Sequence, residues 1–379
     1  MLPIHYLQRC LELAKQGAGY VAPNPMVGAV LVYNDRIISE GWHQQYGKAH
    51  AEVNCIESVN EDDSSLISQS TLYVSLEPCV HFGKTPPCTD LIIQHKIPKV
   101  VIGCRDPFKE VNGKGIEQLK VAGVEVELTD GLLEYECKKI NKRFFTYHNE
   151  KRPYIILKWA QTANGKMASP NTSAGGALKS LTDEISFTTA DSEISLAGGG
   201  GGRLLISNEY SNRLVHQWRS EEAAILIGTN TALLDNPELT NRLWYGNSPI
   251  RLLVDMHLRL PDTLKIFNGD RRTIVFNATR QEEKGNLLYY KLEKDKNLIP
   301  QLLKALYQLK IQSVLVEGGA MLLQSFIDDG TWDEIRIIHN YSLNIVTGLD
   351  APKPENAILI ESEQLYSDTI ETYVRANTD

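Results

Sequence analysis

His50-Ala51-Glu52, followed by Pro78-Cys79 and Pro87-Cys88, is the residue set in this sequence with the plainest chemistry. One imidazole and two thiolates supply three ligands for a catalytic zinc ion and leave the fourth position to water. His50 and Glu52 stand two apart, and residues two apart on a helix do not share a face. His50 can therefore bind a metal while Glu52 stays off it. Zinc brings the pKa of a bound water toward ~7, and an unligated glutamate beside it can carry a proton from that water to a ring nitrogen and a departing amine. The chemistry is hydrolytic deamination. Zinc deaminases commonly place two residues between their cysteines, whereas eight, Val80 to Pro87, intervene here, so the ligand loop is longer. Two other readings use the same side chains: a hydrogen-bonded helical histidine with cysteines as small buried apolar groups, or a closed structural zinc with Cys104 or His81 as a fourth ligand.

The elements that would carry these residues follow from hydrophobic spacing. Ile4, Leu7, Leu11 and Ala14 recur at helical period and Gly17 and Gly19 stop that helix. Val27 to Tyr33 reads as a strand, Asn34-Asp35 as a turn and Arg36 to Gly41 as the return strand of a hairpin. Ala49 to Ser58 is a short helix, Thr71 to Ser75 and Lys99 to Gly103 are buried strands, and Thr89 to His95 is the helix between them, which makes an α/β layered domain. Leu132 to Tyr147 reads as one amphipathic helix over its edge, and a domain boundary is expected near His148, giving domains 1–147 and 148–379.

The later part restarts with a strand over Tyr154 to Ala160, then strands at Ala223 to Ile227, Ile250 to Val254, Thr273 to Phe276, Ser313 to Val316 and Glu334 to Ile338. Helices at Ser211 to Arg219, Leu298 to Leu309 and Met321 to Ile327 alternate with them, so this part is also α/β. The segment 169–203 fits neither pattern. Within it Gly175-Gly176 and the run Gly198 to Gly202 bracket a polar stretch from Ala177 to Ala197, as in a flexible or foreign insertion.

A chain of 379 residues exceeds one typical domain of ~150 residues. Its 42% hydrophobic and 23% charged residues match an ordinary globular protein and exclude collagen-like or disordered classes. The net charge of −8 provides no positive field for a phosphate polymer, so no nucleic-acid partner is expected. No apolar run approaches the ~18 residues of a membrane span, nothing at the N-terminus reads as an export signal, and a cytoplasmic protein with no membrane partner is expected. A homo-oligomer is compatible with all of this. The six cysteines lie before position 138, which confines metal-thiolate chemistry to the first domain.

Around these residues the chain resembles a known family, the bifunctional riboflavin-biosynthesis deaminase-reductases. The matching text is Ala22 to Val30 (APNPMVGAV), Gly41-Trp42-His43, His50-Ala51-Glu52 and Leu72 to Cys88 (LYVSLEPCVHFGKTPPC), whose long ligand loop is specific to that family. The resemblance implies a cytidine-deaminase-like α/β/α first domain in which His50, Cys79 and Cys88 bind Zn2+, Glu52 shuttles protons and Asn24 contacts substrate.

In the second domain the residues themselves offer less. Strand Ser313 to Val316, the turn Glu317-Gly318-Gly319 and a following helix can present backbone N–H groups to a phosphate, without the G-x-G-x-x-G spacing of a Rossmann fold. The same family resemblance covers Leu157 to Ala160 with Gly165-Lys166, Ser207 to Arg219, Ala224 to Thr231, Leu234 to Thr240, Ile250 to Asp255 and Val316 to Gly319. It implies a dihydrofolate-reductase-like α/β domain that uses NADPH. The implied cofactor contacts are Ala160, Thr231, Asp235, Gly319, Ala320, Met321 and Leu322. The implied contacts to a pyrimidine ribose phosphate substrate are Arg219, Leu239, Arg242 and Glu317, the two arginines being suited to a phosphate. Three positions depart from the family pattern: Asn164 stands where an aspartate is usual, Leu205 where a tryptophan is, and Arg203 where a serine is. On these departures rests one rival expectation, a deaminase whose reductase half only binds. The other rival is a nucleic-acid-editing zinc deaminase, which would need a basic groove with stacking aromatics.

Overall fold

The structure, a computed structural model, describes residues 3–83, 86–168, 187–189, 192–194 and 205–376. The expected insertion at 169–203 lies outside the described residues, apart from two three-residue strands. The chain divides into two compact units, Met1–Arg152 and Pro153–Asp379. The boundary expected near His148 lies inside the last helix of the first unit.

The first unit opens with helix α1 (Pro3–Lys15) and the hairpin β1 (Gly28–Tyr33) and β2 (Arg36–Trp42). Asn34 and Asp35, at φ 46° and 59°, make the left-handed two-residue turn whose twist matches paired antiparallel strands. Helix α2 (Ala51–Glu57), β3 (Thr71–Val74), α3 (Cys88–Gln94), β4 (Lys99–Ile102), α4 (Lys114–Val121) and β5 (Glu125–Leu128) follow. The sheet order is β2-β1-β3-β4-β5, with β1 antiparallel to both neighbours and β3, β4 and β5 parallel.

Strand alternation sorts the side chains onto two faces. Ala29, Leu31, Leu72, Val74, Val100 and Ile102 pack under Ala51 and Ile56 of α2, Ile92 of α3 and Leu119 of α4. Val30, Val32, Tyr73 and Val101 face Tyr6, Leu7, Cys10 and Leu13 of α1. Helices therefore cover both faces, as the α/β/α expectation requires.

The single helix expected over Leu132 to Tyr147 is two, α5 (Gly131–Ile140) and α6 (Lys142–Glu150). Asn141 interrupts them. Its buried side chain accepts the Met26 N–H and donates to the Met26 carbonyl, both at 2.8 Å, a long-range bond that helical periodicity does not reveal.

In the second unit come β6 (Tyr154–Thr162), β7 (Lys166–Ala168), and β8 (Phe187–Thr189) paired with β9 (Ser192–Ile194). Helix α7 (Glu209–Glu221), β10 (Ala224–Gly228), α8 (Thr229–Asp235), β11 (Ile250–Val254), β12 (Thr273–Asn277), β13 (Glu282–Lys284) and β14 (Leu287–Lys291) follow. The unit ends with α9 (Leu298–Gln308), β15 (Ser313–Val316), α10 (Ala320–Asp329), β16 (Glu334–Asn340), β17 (Leu349–Asp350), and the hairpin β18 (Ala357–Leu365) and β19 (Asp368–Arg375).

Its main sheet runs β13-β14-β12-β11-β10-β15-β6-β16-β19-β18. The strands from β14 to β16 are mutually parallel. Their continuous apolar runs belong to a parallel sheet buried on both faces. Leu302 and Leu306 of α9 and Leu323 and Phe326 of α10 cover one face, and Val215 and Trp218 of α7 cover part of the other.

Replacing Asn141 by Ala should lower the stability of the chain by about 2 kcal/mol, because the Met26 amide and carbonyl lose buried partners. Chemical denaturation followed by circular dichroism measures this.

Candidate metal centre and reductase cleft

Three chain segments bring the expected zinc donors together. His50 is the residue before α2, in extended conformation, and makes no cap hydrogen bond that would compete for its ring. Its helix is pressed onto β2, where a Cβ on Gly41 would meet the Cys55 nitrogen at 2.3 Å. Cys79 follows β3, and Cys88 is the first residue of α3. The Thr89 N–H and hydroxyl both bond the Cys79 carbonyl at 3.2 Å, which clips the two cysteine segments together.

His50 Nδ1 lies 3.5 Å from Cys79 Sγ and 3.4 Å from Cys88 Sγ, and all three ligand atoms fall within 4.8 Å of one another. The Cys88 N–H donates to Cys79 Sγ at 3.4 Å. The Cys88 thiol beside Cys79, the backbone amide and His50 outweigh burial and hold the Cys79 thiol far below its usual range. Two sulfurs and an imidazole in this geometry fit a zinc ion. Cys104 does not join them. Its thiol donates to the Ser75 carbonyl at 3.5 Å and packs with Cys137, and the His81 ring packs edge-on against Phe108. Among the described residues the donor set stops at three.

Glu52, in the first turn of α2, is 3% exposed. Burial raises its carboxyl group, against the opposing pull of His50. Asn24 donates to His43 Nε2 at 3.2 Å, and His43 Nδ1 in turn donates to the Ala49 carbonyl at 2.9 Å, which fixes the neutral tautomer. The His43 ring meets the edge of His50 at 5.2 Å. The sequence motif assigns His43 no role; its position beside both Asn24 and His50 comes from the fold.

Glu77 is the residue that sequence reasoning passed over. It is 3% exposed, and its carboxylate accepts the N–H groups of Asp106 and Gly113 on one oxygen and of Gly115 and Ile116 on the other, at 2.9 to 3.3 Å. A carboxylate at the N-terminus of α4 is favoured by the helix dipole and by charge-assisted bonds. The contact leaves no space: a Cβ on Gly115 would lie 2.3 Å from the Pro78 carbonyl. The Pro78-Cys79 segment is thereby fixed from behind.

In the second unit a cleft of about 1080 Å3 opens at the carboxyl ends of β10, β11 and β15. All the expected cofactor residues, Ala160, Thr231, Asp235, Gly319, Ala320, Met321 and Leu322, line it, together with Arg219, Arg242 and Glu317. Leu239 lines an adjoining recess of about 250 Å3 shared with Arg219, Arg242 and Glu317. Asn24, the remaining expected substrate contact, belongs to the first unit.

Arg219 grips Glu317 with two nitrogens at 2.7 and 2.8 Å and bonds the Thr240 carbonyl at 3.2 Å, and Lys158 Nζ stands 3.7 Å from Glu317. Burial alone would raise Glu317, but Arg219 and Lys158 hold it at about 2. Two cations and one anion leave this cluster net positive. Arg242 donates through its backbone to His216 Nδ1 at 2.9 Å, and through its side chain to Glu238 and Thr240, both at 2.9 Å. Burial and the two arginines push His216 down to about 4, so it is neutral.

Gly319, at φ 76°, caps α10, and a Cβ on Gly318 would meet the Thr231 side chain at 2.8 Å. This turn is a close backbone approach suited to a phosphate. Of the departing positions, Leu205 lines the cleft and is 70% exposed. Asn164 instead accepts the Thr162 hydroxyl and donates to the Ile345 carbonyl, both at 2.7 Å. An aspartate could accept the first bond but could not donate the second.

Comparison with known proteins agrees with this geometry. Residues 3–104 match the cytidine and deoxycytidylate deaminase zinc-binding region, and residues 153–342 match the RibD C-terminal domain. The riboflavin biosynthesis protein RibD of Aquifex aeolicus is 37% identical over 87% of this chain and 85% of its own length. That of Actinobacillus pleuropneumoniae is 35% identical over 93% and 87%. Among solved structures, a diaminohydroxyphosphoribosylaminopyrimidine deaminase/5-amino-6-(5-phosphoribosylamino)uracil reductase from Thermotoga maritima superposes with a TM-score of 0.81 at 34% identity, covering 98% of both chains. Acinetobacter baumannii RibD gives 0.82 at 28% identity with the same coverage.

Replacing Glu77 by Gln turns one acceptor into a donor that faces backbone N–H groups. Zinc affinity should fall by about 10- to 100-fold, the usual effect of disturbing an outer-shell partner, as read by competition with a chromogenic chelator.

Proposed function

Because the chain belongs to the RibD family of bifunctional riboflavin-biosynthesis proteins, we propose that its first unit removes the 2-amino group of 2,5-diamino-6-(5-phosphoribosylamino)pyrimidin-4-one as ammonia, and that its second unit uses NADPH to reduce the ribosyl side chain to ribityl. The observation that carries the first half is the convergence of His50, Cys79 and Cys88 within 4.8 Å, with Glu52 buried beside them and outside the donor set. Zinc held by those donors would supply an acidified water at neutral pH.

Glu52 performs the proton work. A carboxylate raised by burial is a competent acceptor: it would take one proton from the attacking water and pass it to the ring nitrogen, then take the second proton from the added hydroxyl and pass it to the amine as that leaves as ammonia. Asn24, held by His43, offers its remaining amide groups to the pyrimidine.

The second unit has the parts for hydride delivery to C1′ of the opened ribose. NADPH supplies the hydride, and the chain aligns it and keeps water out. The Gly318-Gly319 turn and Thr231 receive the cofactor's phosphates, Ala160 lies where the nicotinamide end meets substrate, and Asp235 completes the cofactor side. The net positive cluster of Arg219, Lys158 and Glu317, with Arg242 at the rim and Leu239 in the recess, receives the ribose phosphate. The bidentate hold of Glu317 on Arg219 makes Arg242, 52% exposed, the more available guanidinium for that phosphate.

The six cysteines are unpaired, which supports a reducing, cytoplasmic setting. Among the described residues no helix is long and apolar enough to cross a membrane.

Glu52→Gln should lower ammonia release from the pyrimidine phosphate by about 10²- to 10⁴-fold while zinc stays bound and NADPH oxidation with the deaminated intermediate continues. Ammonia release equal to that of the unaltered chain would refute the shuttle.

A further inference from the structure

We infer that Arg259 is the residue by which this chain prefers a dinucleotide carrying a 2′-phosphate on its adenosine ribose. The inference rests on the reading of the second unit as a nicotinamide-dependent reductase and adds the residue that distinguishes NADPH from NADH.

Three observations carry it. The first is position. Arg259 lines the cleft on the β11 side, with Val254 and Thr229, whereas Arg219 stands in the last turn of α7, Glu317 directly after β15, and Lys158 in the middle of β6. In the strand order β11-β10-β15-β6, β11 and β6 are separated by three strand spacings, roughly 14 Å. Hydride transfer puts the nicotinamide at the substrate end, so a dinucleotide laid across the Gly318-Gly319 turn sends its adenosine half toward β11.

The second observation concerns the acid at the end of β11. In dinucleotide sites that accept NADH, a carboxylate beside the adenosine ribose takes the 2′-hydroxyl, whereas an arginine nearby takes a 2′-phosphate. Asp255 follows β11 directly, but it is 2% exposed and its carboxylate is turned inward. One oxygen accepts the Leu260 N–H at 3.1 Å, and the other lies 3.3 Å from the Thr229 hydroxyl, whose shorter bond, 2.8 Å, is to the Val254 carbonyl. The carboxylate that would read a bare ribose is turned into the protein.

The third is how the loop presents its cation. Leu258 and Leu260 pack into the cluster around Ile266 and Val275. The intervening Arg259 is exposed. The Leu258 N–H bonds the Asp255 carbonyl at 3.1 Å, and Leu258 itself sits at φ 51°, a conformation that costs a leucine free energy and that the Asp255 bonds sustain. Among the described residues Arg259 makes no hydrogen bond or ion pair. Its guanidinium is therefore available for the paired bonds that a phosphate dianion accepts.

The test uses the full-length chain and its Arg259→Gln and Arg259→Lys variants. Calorimetry with adenosine 2′,5′-bisphosphate and with 5′-ADP reads binding, and steady-state kinetics with NADPH and NADH read selectivity. Loss of one charge-assisted contact predicts that Arg259→Gln weakens the bisphosphate by about 10- to 100-fold, with the ratio of kcat/KM for NADPH over NADH falling by the same factor. Arg259→Lys should keep an intermediate preference, because charge remains while the planar fork is lost. Equal weakening of both probes and both cofactors, or no change in either, would overturn the inference alone. An unaltered chain that binds neither dinucleotide would overturn the reductase reading with it.

Discussion

The buried negative charge at Cys79 and Cys88 is the constraint around which the first unit is organised. Two sulfurs and an imidazole at 3.4 to 3.5 Å bring a site together that only a cation completes, because two thiolates this close and this deep repel each other and lack solvent. The hydrogen bond with Cys79 and burial push the Cys88 thiol far above its usual range. Rigidity has to come from elsewhere. It comes from α2 seated on β2 at van der Waals limit, from the clip between Thr89 and Cys79, and from Glu77, whose two oxygens tie the strand end to four amides around the start of α4.

The second unit handles a buried charge by the opposite route. Glu317 is supplied with Arg219 and Lys158 from within the chain, and its ionisation is complete far below neutrality. Such a pair contributes little net stability once desolvation is counted. Its value is the geometry and sign it gives the cleft, in which an excess of one positive charge remains.

Much of this was legible in the sequence because the relevant signals are local. Asn34-Asp35 predicts its hairpin, the apolar runs predict the parallel strands of both units, and His50, Glu52, Cys79 and Cys88 carry their chemistry in their types. Glu77, His43 and Asn141 could not be recognised that way. Glu77 binds amides of residues 106–116 and Asn141 binds Met26, contacts that exist only after the chain has folded. The terminal hairpin β18-β19 was also missed; β18, with Glu361 and Glu363 between apolar residues, is exposed along most of its length and lacks a clean core-facing alternation. At Asn164 the sequence shows a carboxylate replaced by an amide that can still hydrogen-bond, and the structure supplies the partner: the amide donates to the Ile345 carbonyl, a bond that a carboxylate could not make.

Both units place their chemistry where parallel strands end and helices begin, which follows from the architecture rather than from shared ancestry of the sites. A strand end is where backbone polar groups leave the ladder and need partners, so a ligand, a metal or a side-chain cap can take them without breaking the core. In the first unit Glu77 takes the amides and leaves Cys79 beyond it beside His50 and Cys88. In the second, Asp255 takes the amide of Leu260 after β11, while the glycines after β15 make no backbone N–H bond among the described residues. Which strand ends the chain closes itself and which it leaves to the cleft is therefore a matter of hydrogen-bond accounting that no single residue displays.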